Sequence, residues 1–596
     1  MGGICGIYGL DDRTLAQKMA QALAHRGSHS CVTQLDAGPW IAVRSTKIDC
    51  QPVSNEDGSI WIASDGAIYN YGQLRQYLER RGHRFRFPSE MEVFVHLYEE
   101  TEYRYAEKIN GDFASVLWDS NNKRLLLSRD VVGTKPIYYT FVNGSLFFAS
   151  EIKSILEYDE IKRELDYEAL CHYLSCGATP HSKTLIKQVK KLPPGAVLVV
   201  ANGEATIKRY WNLKACVPTK NSWKGFLEDL NMNLKEAVDI RIPQNDEPIA
   251  VCLSGGIDSS LVTGLLSNMV ERSIETYTAG FSGCSNEFEY ARTVADHFGT
   301  NHHELIIEYD IVRKLLPKMV WQLDDLNADT IFIPHYFLSE SIAPHASVVF
   351  DGMGGDELFG GYLKHLLMSR WFDVLPANIR FFLFSKVPLI RSKSHSFSEG
   401  DIRKLLLSEH FNKDELKIPS LVEPYYIKCN TFEAYRRQLE YDIMFSIQNE
   451  IIPIEQMSVA HSLEMRYPLL DINLIKFSAS LPPSFKVMGT NQKFILREYM
   501  RNLFPDSIVK RKKSPFRVYL QPLFDDAFRE EMMITLLDFR LFNNDLIKNL
   551  FSEPKKYANP LSRAKYFANM WYLSALAHYL KCYFERERIK KPSHFN

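Results

Sequence analysis

The feature of this sequence that most constrains its fold is a glycine-containing turn between an apolar segment and a helical pattern. The apolar segment spans residues 248–254 (PIAVCLS), the helical pattern spans residues 259–270, and the string SGGIDSS at 254–260 joins them. Glycine lets the backbone approach an anion closely, and a helix N-terminus supplies free N–H groups and positive potential. The order strand, loop, helix therefore predicts a phosphate-binding loop.

Asp258 adds a second requirement to this loop. A carboxylate beside a phosphate is explained if a magnesium ion bridges the two. The loop lacks the Gly-Lys-Ser/Thr string of Walker-type loops. It looks instead like the pyrophosphate loop of enzymes that split ATP between the α and β phosphates and adenylate a substrate.

A second acidic loop follows another predicted strand. Residues 346–352 (ASVVFDG) predict the strand, and the string DGMGGDELFGGY occupies positions 351–362. The carboxyl ends of adjacent parallel strands meet at one crevice of the sheet. We therefore expect Asp356 to face Asp258 across the metal.

The pattern around these loops predicts the fold of the second half of the chain. Predicted strands alternate with predicted helices over residues 223–352, which is typical of a parallel sheet covered on both faces. After Tyr362 the pattern is mostly helical, with aromatic-rich segments at 365–390 and 565–585. These segments are candidates to line a large apolar cavity, although helix packing also explains them.

The first part of the chain has a different pattern of apolar and turn-forming residues. Residues 1 to about 205 contain short alternating apolar runs bounded by Gly, Asp, Asn or Pro, with two predicted helices at about Thr14–His25 and Tyr71–Arg81. This pattern predicts an α+β sandwich. We place the domain boundary between residues 210 and 211, with a linker near 212–225.

Composition and charge narrow the class of protein. At 596 residues the chain is too long for one hydrophobic core, and its formal net charge of −1 does not steer it to nucleic acid or anionic lipid. The ten cysteines form no C-x-x-C pair, so their spacing predicts neither a zinc site nor a dense disulfide framework. No run approaches the roughly 18–20 apolar residues of a membrane span, and no signal peptide is evident. We expect a cytoplasmic protein.

Several further strings match one family in collinear order. They are Glu287, WQLDD (321–325), SLEMRYPLLD (462–471), Lys493, Arg497 and KRKKSPF (510–516), preceded by CGIYG (5–9), HRG (25–27), DGAIYN (65–70), GDFA (111–114) and GTKP (133–136). With the two loops, they make the chain resemble the glutamine-hydrolysing asparagine synthetase family (asparagine synthetase B-like). The resemblance implies an α+β Ntn-hydrolase-like sandwich at 1–210, a degenerate glutaminase-like domain of amidotransferase type 2. It further implies an α/β adenine-nucleotide α-hydrolase-like (PP-loop) synthetase domain at 211–596, with a helical carboxyl-terminal part.

The resemblance also implies the chemistry and its residues. In the family, ATP adenylates a carboxylate and an amine then displaces AMP, so ATP and Mg²⁺ are the implied cofactors. Asp258 and Asp356 would bind the metal, and Lys513 and Glu464 would be catalytic. A fixed cation such as Lys513 stabilises charge that develops at the reacting carbonyl. The implied nucleotide-binding residues are Leu253, Ser254, Gly255, Gly256, Asp258, Ser259, Ser260, Ala279, Phe281, Gly352, Met353 and Gly354.

The glutaminase-like half departs from the family pattern at its reaction centre. The family's nucleophile is a terminal cysteine whose own α-amine is the base, whereas the matching residue here is Cys5. If Met1 is trimmed, the amine lies up to about 10 Å from it along an extended chain, and proton transfer needs about 3 Å. The family's Asn-Gly-Glu reads Asp65-Gly66-Ala67, which removes an oxyanion donor and a carboxylate for the glutamine ammonium. We expect lost glutaminase activity and a buried, hydrophobe-like Cys5, and leave open whether residues 1–4 are removed.

The synthetase half differs at one informative position. Family asparagine-forming enzymes carry Ser-Gly-Glu-Gly-x-Asp-Glu, and Met353 stands where their glutamate serves ammonia and aspartate. A peptide α-amine has a pKa near 8, so roughly a tenth is already unprotonated at pH 7. If the amine and the carboxylate belong to one molecule, positioning supplies most of the rate. This favours formation of an intramolecular amide.

Two ring-forming branches of the family lack glutaminase function, the β-lactam synthetases and the lasso-peptide macrolactam synthetases. The loop at 351–362 and the CGIYG string favour the lasso branch. The expected reaction adenylates an Asp or Glu side chain of a leader-free core peptide and joins it to the peptide's N-terminal amine. A leader peptidase and a leader-recognition protein are the implied partners. The alternatives are an ammonia- or glutamine-dependent asparagine synthetase, a β-lactam-type ring former and a non-catalytic scaffold.

Overall fold

The computed structural model describes residues 2–35, 38–46, 52–87, 89–180, 182–213, 222–284, 287–371, 397–406, 431–513, 518–552 and 560–584. Several predictions fall outside these residues, namely most of the expected linker (214–221), most of the first aromatic-rich segment (372–390), the end of the second (585) and the end of the basic string (514–516).

Two antiparallel sheets of six strands each form the amino-terminal part. Its strands are β1 (Gly2–Tyr8), β2 (His29–Gln34), β3 (Trp40–Ser45), β4 (Val53–Ser54), β5 (Ile60–Ile68), β6 (Gly111–Asp119), β7 (Arg124–Arg129), β8 (Tyr138–Val142), β9 (Ser145–Ala149), β10 (Lys190–Lys191), β11 (Ala196–Ala201) and β12 (Glu204–Arg209). The first sheet has the order β10-β8-β9-β1-β3-β2 and the second has the order β12-β11-β7-β6-β5-β4. The predicted α+β sandwich is confirmed.

A parallel sheet of five strands organises the second part. Its strands are β13 (Ile249–Cys252), β14 (Ile274–Phe281), β15 (Asn301–Ile307), β16 (Val348–Phe350) and β17 (Glu464–Arg466), in the order β15-β14-β13-β16-β17. Every neighbouring pair is parallel. Strand β13 is buried along its whole length, as expected of a central strand covered on both faces. A short hairpin of β18 (Val487–Met488) and β19 (Asn491–Gln492) lies further along the chain.

Helices accompany both parts and dominate the rest of the described chain. They are α1 (Arg13–Ala22), α2 (Tyr71–Glu79), α3 (Glu92–Thr101), α4 (Ile152–Ile155), α5 (Tyr167–Cys176), α6 (Trp223–Asp239), α7 (Ile257–Ser267), α8 (Phe288–Phe298), α9 (Tyr309–Leu323), α10 (Phe332–Ile342), α11 (Gly355–Phe359), α12 (Leu363–Trp371), α13 (Glu399–Leu405), α14 (Thr431–Tyr441), α15 (Gln448–Val459), α16 (Ile472–Ser480), α17 (Pro483–Lys486), α18 (Phe494–Met500), α19 (Asp506–Val509), α20 (Asp526–Asp538), α21 (Asn544–Ser552) and α22 (Pro560–Phe584). Within the described residues, no helix is long and apolar enough to cross a bilayer.

The structure adds to the sequence predictions in two places. The two predicted helices are confirmed as α1 and α2, and the sandwich also contains α3, α4 and α5, which were not predicted. Strand β17 was not predicted, because it has three residues and lies in a region whose pattern is helical. Its position beside β16 is a tertiary contact that a local pattern does not carry.

Buried polar contacts join the two parts. The ammonium of Lys135 pairs with Glu455, and the two side chains are 2% and 0% exposed. Arg26 Nη1 donates to Gln456 Oε1 at 3.0 Å, and Asn110 Nδ2 donates to Asp471 Oδ2 at 2.7 Å. Each buried group has its partner in the other part. The interface is therefore specified by charge and hydrogen bonding as well as by apolar packing.

A buried histidine in the last described helix predicts acid sensitivity. Burial lowers the pKa of His578 in α22 to about 3, and the neighbouring Lys581 acts in the same direction. Below pH 6.5 the unfolded chain binds a proton that the folded chain does not, so stability falls as pH falls. Between pH 7 and pH 5 we expect His578 to cost about 2 kcal/mol of unfolding free energy. Urea unfolding should show that His578→Phe removes this part of the pH dependence.

The control for this prediction is a histidine at an exposed position. His345 is exposed between α10 and β16, so His345→Phe should leave the pH dependence of wild type unchanged. Equal pH dependence of wild type and His578→Phe would contradict the prediction.

Candidate functional site

The loop between β13 and α7 has a backbone shape that only glycine accepts easily. Gly255 has φ +66°, and a Cβ at this position would lie 2.6 Å from the backbone nitrogen of Ala291. Ser254 and Ser259 lie across the turn from each other, with their hydroxyl oxygens 3.1 Å apart. The loop thus presents hydroxyl groups and the start of α7 at the carboxyl edge of the sheet, as a phosphate-binding loop requires.

The second acidic loop packs directly against the first. A Cβ on Gly352 would lie 2.6 Å from the backbone nitrogen of Ser259, so a larger residue would separate the two loops. A Cβ on Gly355 would likewise clash with the carboxylate of Asp258. The predicted convergence of the two loops is confirmed, and their glycines make the close approach possible.

Asp258 and Asp356 meet at one cation. The ammonium of Lys493 pairs with Asp258 and lies 2.7 Å from Asp356 Oδ1. Burial raises the pKa of Asp258 despite Lys493. Burial also opposes ionisation of Asp356, but Lys493 and Lys513 outweigh it and hold the pKa of that carboxyl well below its usual range. The two carboxylates therefore face one point, as the sequence predicted.

These carboxylates fit a magnesium ion. Asp258 Oδ1 is buried and has no hydrogen-bond partner among the described residues. Carboxylate oxygens are the ligands that Mg²⁺ prefers, and Mg²⁺ is usually held by one or two carboxylates together with substrate phosphates. Asp258 and Asp356 are the residues that would hold the metal beside the phosphate loop.

Lys513 reaches the same cluster from the basic string. Its ammonium pairs with Asp356 and lies 4.6 Å from the centroid of the Tyr362 ring, a cation–π distance. The Tyr362 hydroxyl in turn donates to Glu357. The side chain of Lys513 is 31% exposed, so it remains accessible to a substrate. Lys513 is therefore placed to stabilise charge at a reacting centre.

Arginines complete the cationic side of the loop. Arg511 pairs with Glu287, donates to the Ser254 carbonyl oxygen at 3.1 Å and covers the Tyr290 ring at 4.0 Å. Arg497 donates to the Arg511 carbonyl oxygen at 3.0 Å. Lys493, Arg497 and Arg511 were not in the predicted site, although each falls in a string that carried the resemblance. Each is a basic residue at a position that matches the family, and no local sequence pattern marks it as a site residue.

An open cavity lies beside the two loops. Its volume is about 820 Å³ including the adjoining solvent. The residues that line it include the apolar Ile331, Pro334, Leu338 and Met353. The predicted nucleotide-binding residues that line it are Leu253, Ser254, Gly256, Asp258, Ser259, Ala279, Gly352 and Met353.

Four predicted nucleotide-binding residues are not among those that line this cavity. Gly255 packs on Tyr290, Gly354 packs on Leu470, and Ser260 is fully buried. Phe281 is buried and stacks on Tyr309 with ring centroids 5.3 Å apart. In the described structure the side-chain positions of Ser260 and Phe281 support the fold of the loop and sheet.

Glu464 is not brought to this cluster. It lies in β17 and pairs in register with Val348, at the amino end of β16, whereas the reactive loops leave the carboxyl ends. Its carboxylate accepts from Arg466 at 2.7 Å, and it lines neither this cavity nor the groove beside Lys513. The parallel register places Glu464 beside the amino end of β16, and its catalytic role stays a prediction.

Cys5, which matches the nucleophile of the glutaminase family, lies in the interior of the sandwich. Cys5 is 1% exposed, and burial raises the pKa of its thiol to about 12. Gly2 and Gly3 continue β1 ahead of it, paired with Ser45 and Arg44. The expectation of a buried Cys5 is confirmed.

Asp65, which stands where the family has an asparagine, forms an ion pair with a buried arginine. Arg26 is fully buried, and its guanidinium lies 3.1 Å from Asp65 Oδ2 and 2.7 Å from Glu151 Oε1. His25 Nε2 lies 2.9 Å from the same Glu151 oxygen. An ionised Asp65 paired in this way accepts hydrogen bonds and cannot donate one to an oxyanion.

Comparison with known proteins agrees with this architecture. The family model described as asparagine synthase matches residues 229–581, and the model described as glutamine amidotransferase domain matches residues 1–211. The chain is 29% identical over 570 residues to glutamine-hydrolyzing asparagine synthetase 1 of Bacillus subtilis (strain 168), covering 88% of this chain and 89% of that protein. Asparagine synthetase 3 of the same organism is 28% identical, over 76% of this chain and 75% of its own length. Asparagine synthetase 2 is 26% identical, over 90% of this chain and 72% of its own length. The chain therefore belongs to the asparagine synthase family of ATP- and magnesium-dependent, AMP-forming carbon–nitrogen ligases, with a glutamine amidotransferase domain ahead of its synthetase domain.

Proposed function

We propose that this protein closes a macrolactam ring in a lasso peptide. ATP adenylates an Asp or Glu side chain of a leader-free core peptide, and the peptide's N-terminal amine then forms the isopeptide bond. The broader assignment, ATP-dependent amide formation, follows from membership of the family. The proposal concerns the acceptor amine and the peptide substrate.

The proposed reaction has two steps, and different site residues act in each. In the first, a carboxylate oxygen bonds to the α-phosphorus of ATP and pyrophosphate leaves. Asp258 and Asp356 would hold the magnesium ion, which would neutralise negative charge on the phosphates, and the loop at 254–260 supplies hydroxyl and N–H donors. In the second, the amine nitrogen bonds to the acyl carbon, AMP leaves and the nitrogen loses a proton. Lys513 stabilises the negative charge that develops on the acyl oxygen.

The observation that carries the proposal is the position of Met353. Met353 lines the cavity together with the apolar residues Ile331, Pro334 and Leu338. This is the position that holds a glutamate in the asparagine-forming pattern, so the cavity here lacks the carboxylate that would bind ammonium or the aspartate ammonium. An apolar wall suits a peptide better than two small ions. The burial of Cys5 and the raised pKa of its thiol also favour a nitrogen source other than glutamine.

A prediction about Cys5 follows from the burial of its thiol. Cys5→Ala should leave the rate of amide formation within about twofold of wild type, because the thiol is buried and takes no part in the reaction. Incubation of wild type with glutamine should release no glutamate above the buffer rate. Glutamate release by wild type that is abolished in Cys5→Ala would show a working glutaminase and overturn this part of the proposal.

The proposed partners are the core peptide, a leader peptidase that releases it and a leader-recognition protein. Because the amine must be free before it can react, removal of the leader has to precede ring closure. We propose the cytoplasm as the location, because the reaction consumes ATP.

The test uses synthetic peptides with a free N-terminal amine and one Asp or Glu at successive positions. Wild type with ATP and Mg²⁺ should give a product lighter than the peptide by one water, with one AMP and one pyrophosphate for each product. N-acetylated peptide is the matched control, and it should give no cyclic product because the nucleophile is blocked. Tandem mass spectrometry should locate the new bond between the side chain and the terminal nitrogen.

The second candidate function is asparagine synthesis, which the names of the relatives favour. Its test supplies aspartate, ATP and either ammonium or glutamine to the same enzyme preparation. Asparagine formation with AMP, and no cyclic peptide, would replace the proposal with this function.

A further inference from the structure

Three buried side chains with metal-ligating atoms meet at the floor of the cavity. Cys252 ends β13, Asp351 follows β16, and His335 lies in α10. Their ligand atoms all lie within 4.8 Å of one another. The residues are 9%, 7% and 8% exposed, so the cluster is buried, and all three residues line the cavity.

The imidazole of His335 is the informative member of this cluster. Among the described residues its ring has no hydrogen-bond or ion-pair partner, and only its main-chain N–H is bonded, to the Ile331 carbonyl oxygen. Burial lowers the pKa of His335 to about 4, so the ring is neutral and has a free lone pair at neutral pH. A buried imidazole is normally paired, so an unpaired ring facing a thiol and a carboxyl group calls for a ligand.

The other two members supply the remaining donors. The Cys252 sulfur and a carboxylate oxygen of Asp351 lie within 4.8 Å of each other and of a ring nitrogen of His335. Thiolate, imidazole and carboxylate are the three donor types that zinc takes in proteins, with three protein ligands and one open position at sites that also admit a substrate or water. The hard magnesium ligands Asp258 and Asp356 differ in offering oxygen alone.

We infer that Cys252, His335 and Asp351 bind a zinc-class divalent ion at the floor of the nucleotide cavity, and that this ion and the nucleotide compete. Ligand atoms around tetrahedral zinc are roughly 3.5 Å apart. Closing the cluster from its present spacing therefore needs side-chain shifts of about 1 Å. Competition follows because these residues line the same cavity as Ser254 and Asp258. The inference does not depend on which amine the enzyme uses.

The test titrates reduced, metal-free full-length protein with Co²⁺ alone and follows the near-ultraviolet thiolate-to-cobalt charge-transfer band. We expect one tight equivalent that shows this band. Cys252→Ser should lose the band, and His335→Gln should bind Co²⁺ about tenfold or more weakly while keeping a weaker band. Cys171→Ser is the matched control, because Cys171 is also buried but lies in α5 of the other part of the chain. It should behave as wild type.

A second measurement adds a non-hydrolysable ATP analogue with Mg²⁺ during the titration. The apparent affinity for Co²⁺ should then fall at least about tenfold, and Zn²⁺ should displace Co²⁺ with loss of the band. Three results would each overturn the inference: no sulfur-to-cobalt band even at saturating Co²⁺, a band that persists in Cys252→Ser, or a band whose titration the nucleotide analogue does not change. Circular dichroism and thermal unfolding of both variants check that a lost band is not a lost fold.

Discussion

Asp258→Asn should reduce pyrophosphate release by about 100- to 1,000-fold, with little change in the thermal stability of the protein. The carboxylate lies between the phosphate loop and the ammonium of Lys493, and its Oδ1 is buried without a hydrogen-bond partner among the described residues. An amide keeps the shape of the side chain but removes the charge that would hold the metal. The measurement is the steady-state rate of pyrophosphate release with ATP, Mg²⁺ and the cyclising peptide.

The matched control is an aspartate of the same chemistry that faces solvent. The side chain of Asp526, at the start of α20, is 96% exposed, so Asp526→Asn should keep the rate within about twofold. If Asp258→Asn released pyrophosphate at the wild-type rate, the carboxylate would not hold the metal and the adenylation mechanism would fail. Lost activity together with lost stability would instead show a structural role for Asp258.

Lys135→Met should destabilise the protein by about 3–5 kcal/mol. Lys135 and Glu455 pair across the interface between the two parts, and neither has more than 2% of its side chain exposed. Burial raises the pKa of Glu455 even beside Lys135. Removing the lysine leaves a buried carboxylate without a counter-charge, so the folded state must either bury that charge or protonate it. The measurement is urea unfolding at pH 7, followed by tryptophan fluorescence.

Two comparisons separate the buried charge from a general packing effect. The double variant Lys135→Met/Glu455→Leu should regain most of the lost stability, because replacing both partners by apolar side chains is often neutral. Lys135→Met should also lose less stability at pH 5 than at pH 7, since protonation of Glu455 relieves the unpaired charge.

The control is a lysine in an exposed ion pair. The side chains of Lys510 and Asp506 are 74% and 69% exposed, so Lys510→Met should change stability by less than about 0.5 kcal/mol. Equal effects of Lys135→Met and Lys510→Met would contradict the assignment of the interface charge pair.

Local sequence signals were sufficient to predict the parts of the site that are formed by residues adjacent in sequence. The loop at 254–260 was predicted from a strand, a glycine turn and a helix start that are adjacent in sequence, and Asp258 followed from its position in that turn. The loop at 351–362 was predicted in the same way, and its convergence on the first loop followed from the parallel arrangement of the strands. Strand β17 was missed because three residues carry no periodicity.

The sequence alone determined the order of the two folds, the phosphate loop, the two facing aspartates and the altered residues at Asp65 and Met353. These depend on neighbouring residues or on short strings, which fix backbone shape and charge locally. Only the tertiary structure decided that Lys493 joins both aspartates and that the buried Arg26 pairs with Asp65. Those contacts join residues that are distant along the chain, and only the parallel sheet and the buried domain interface bring them within reach.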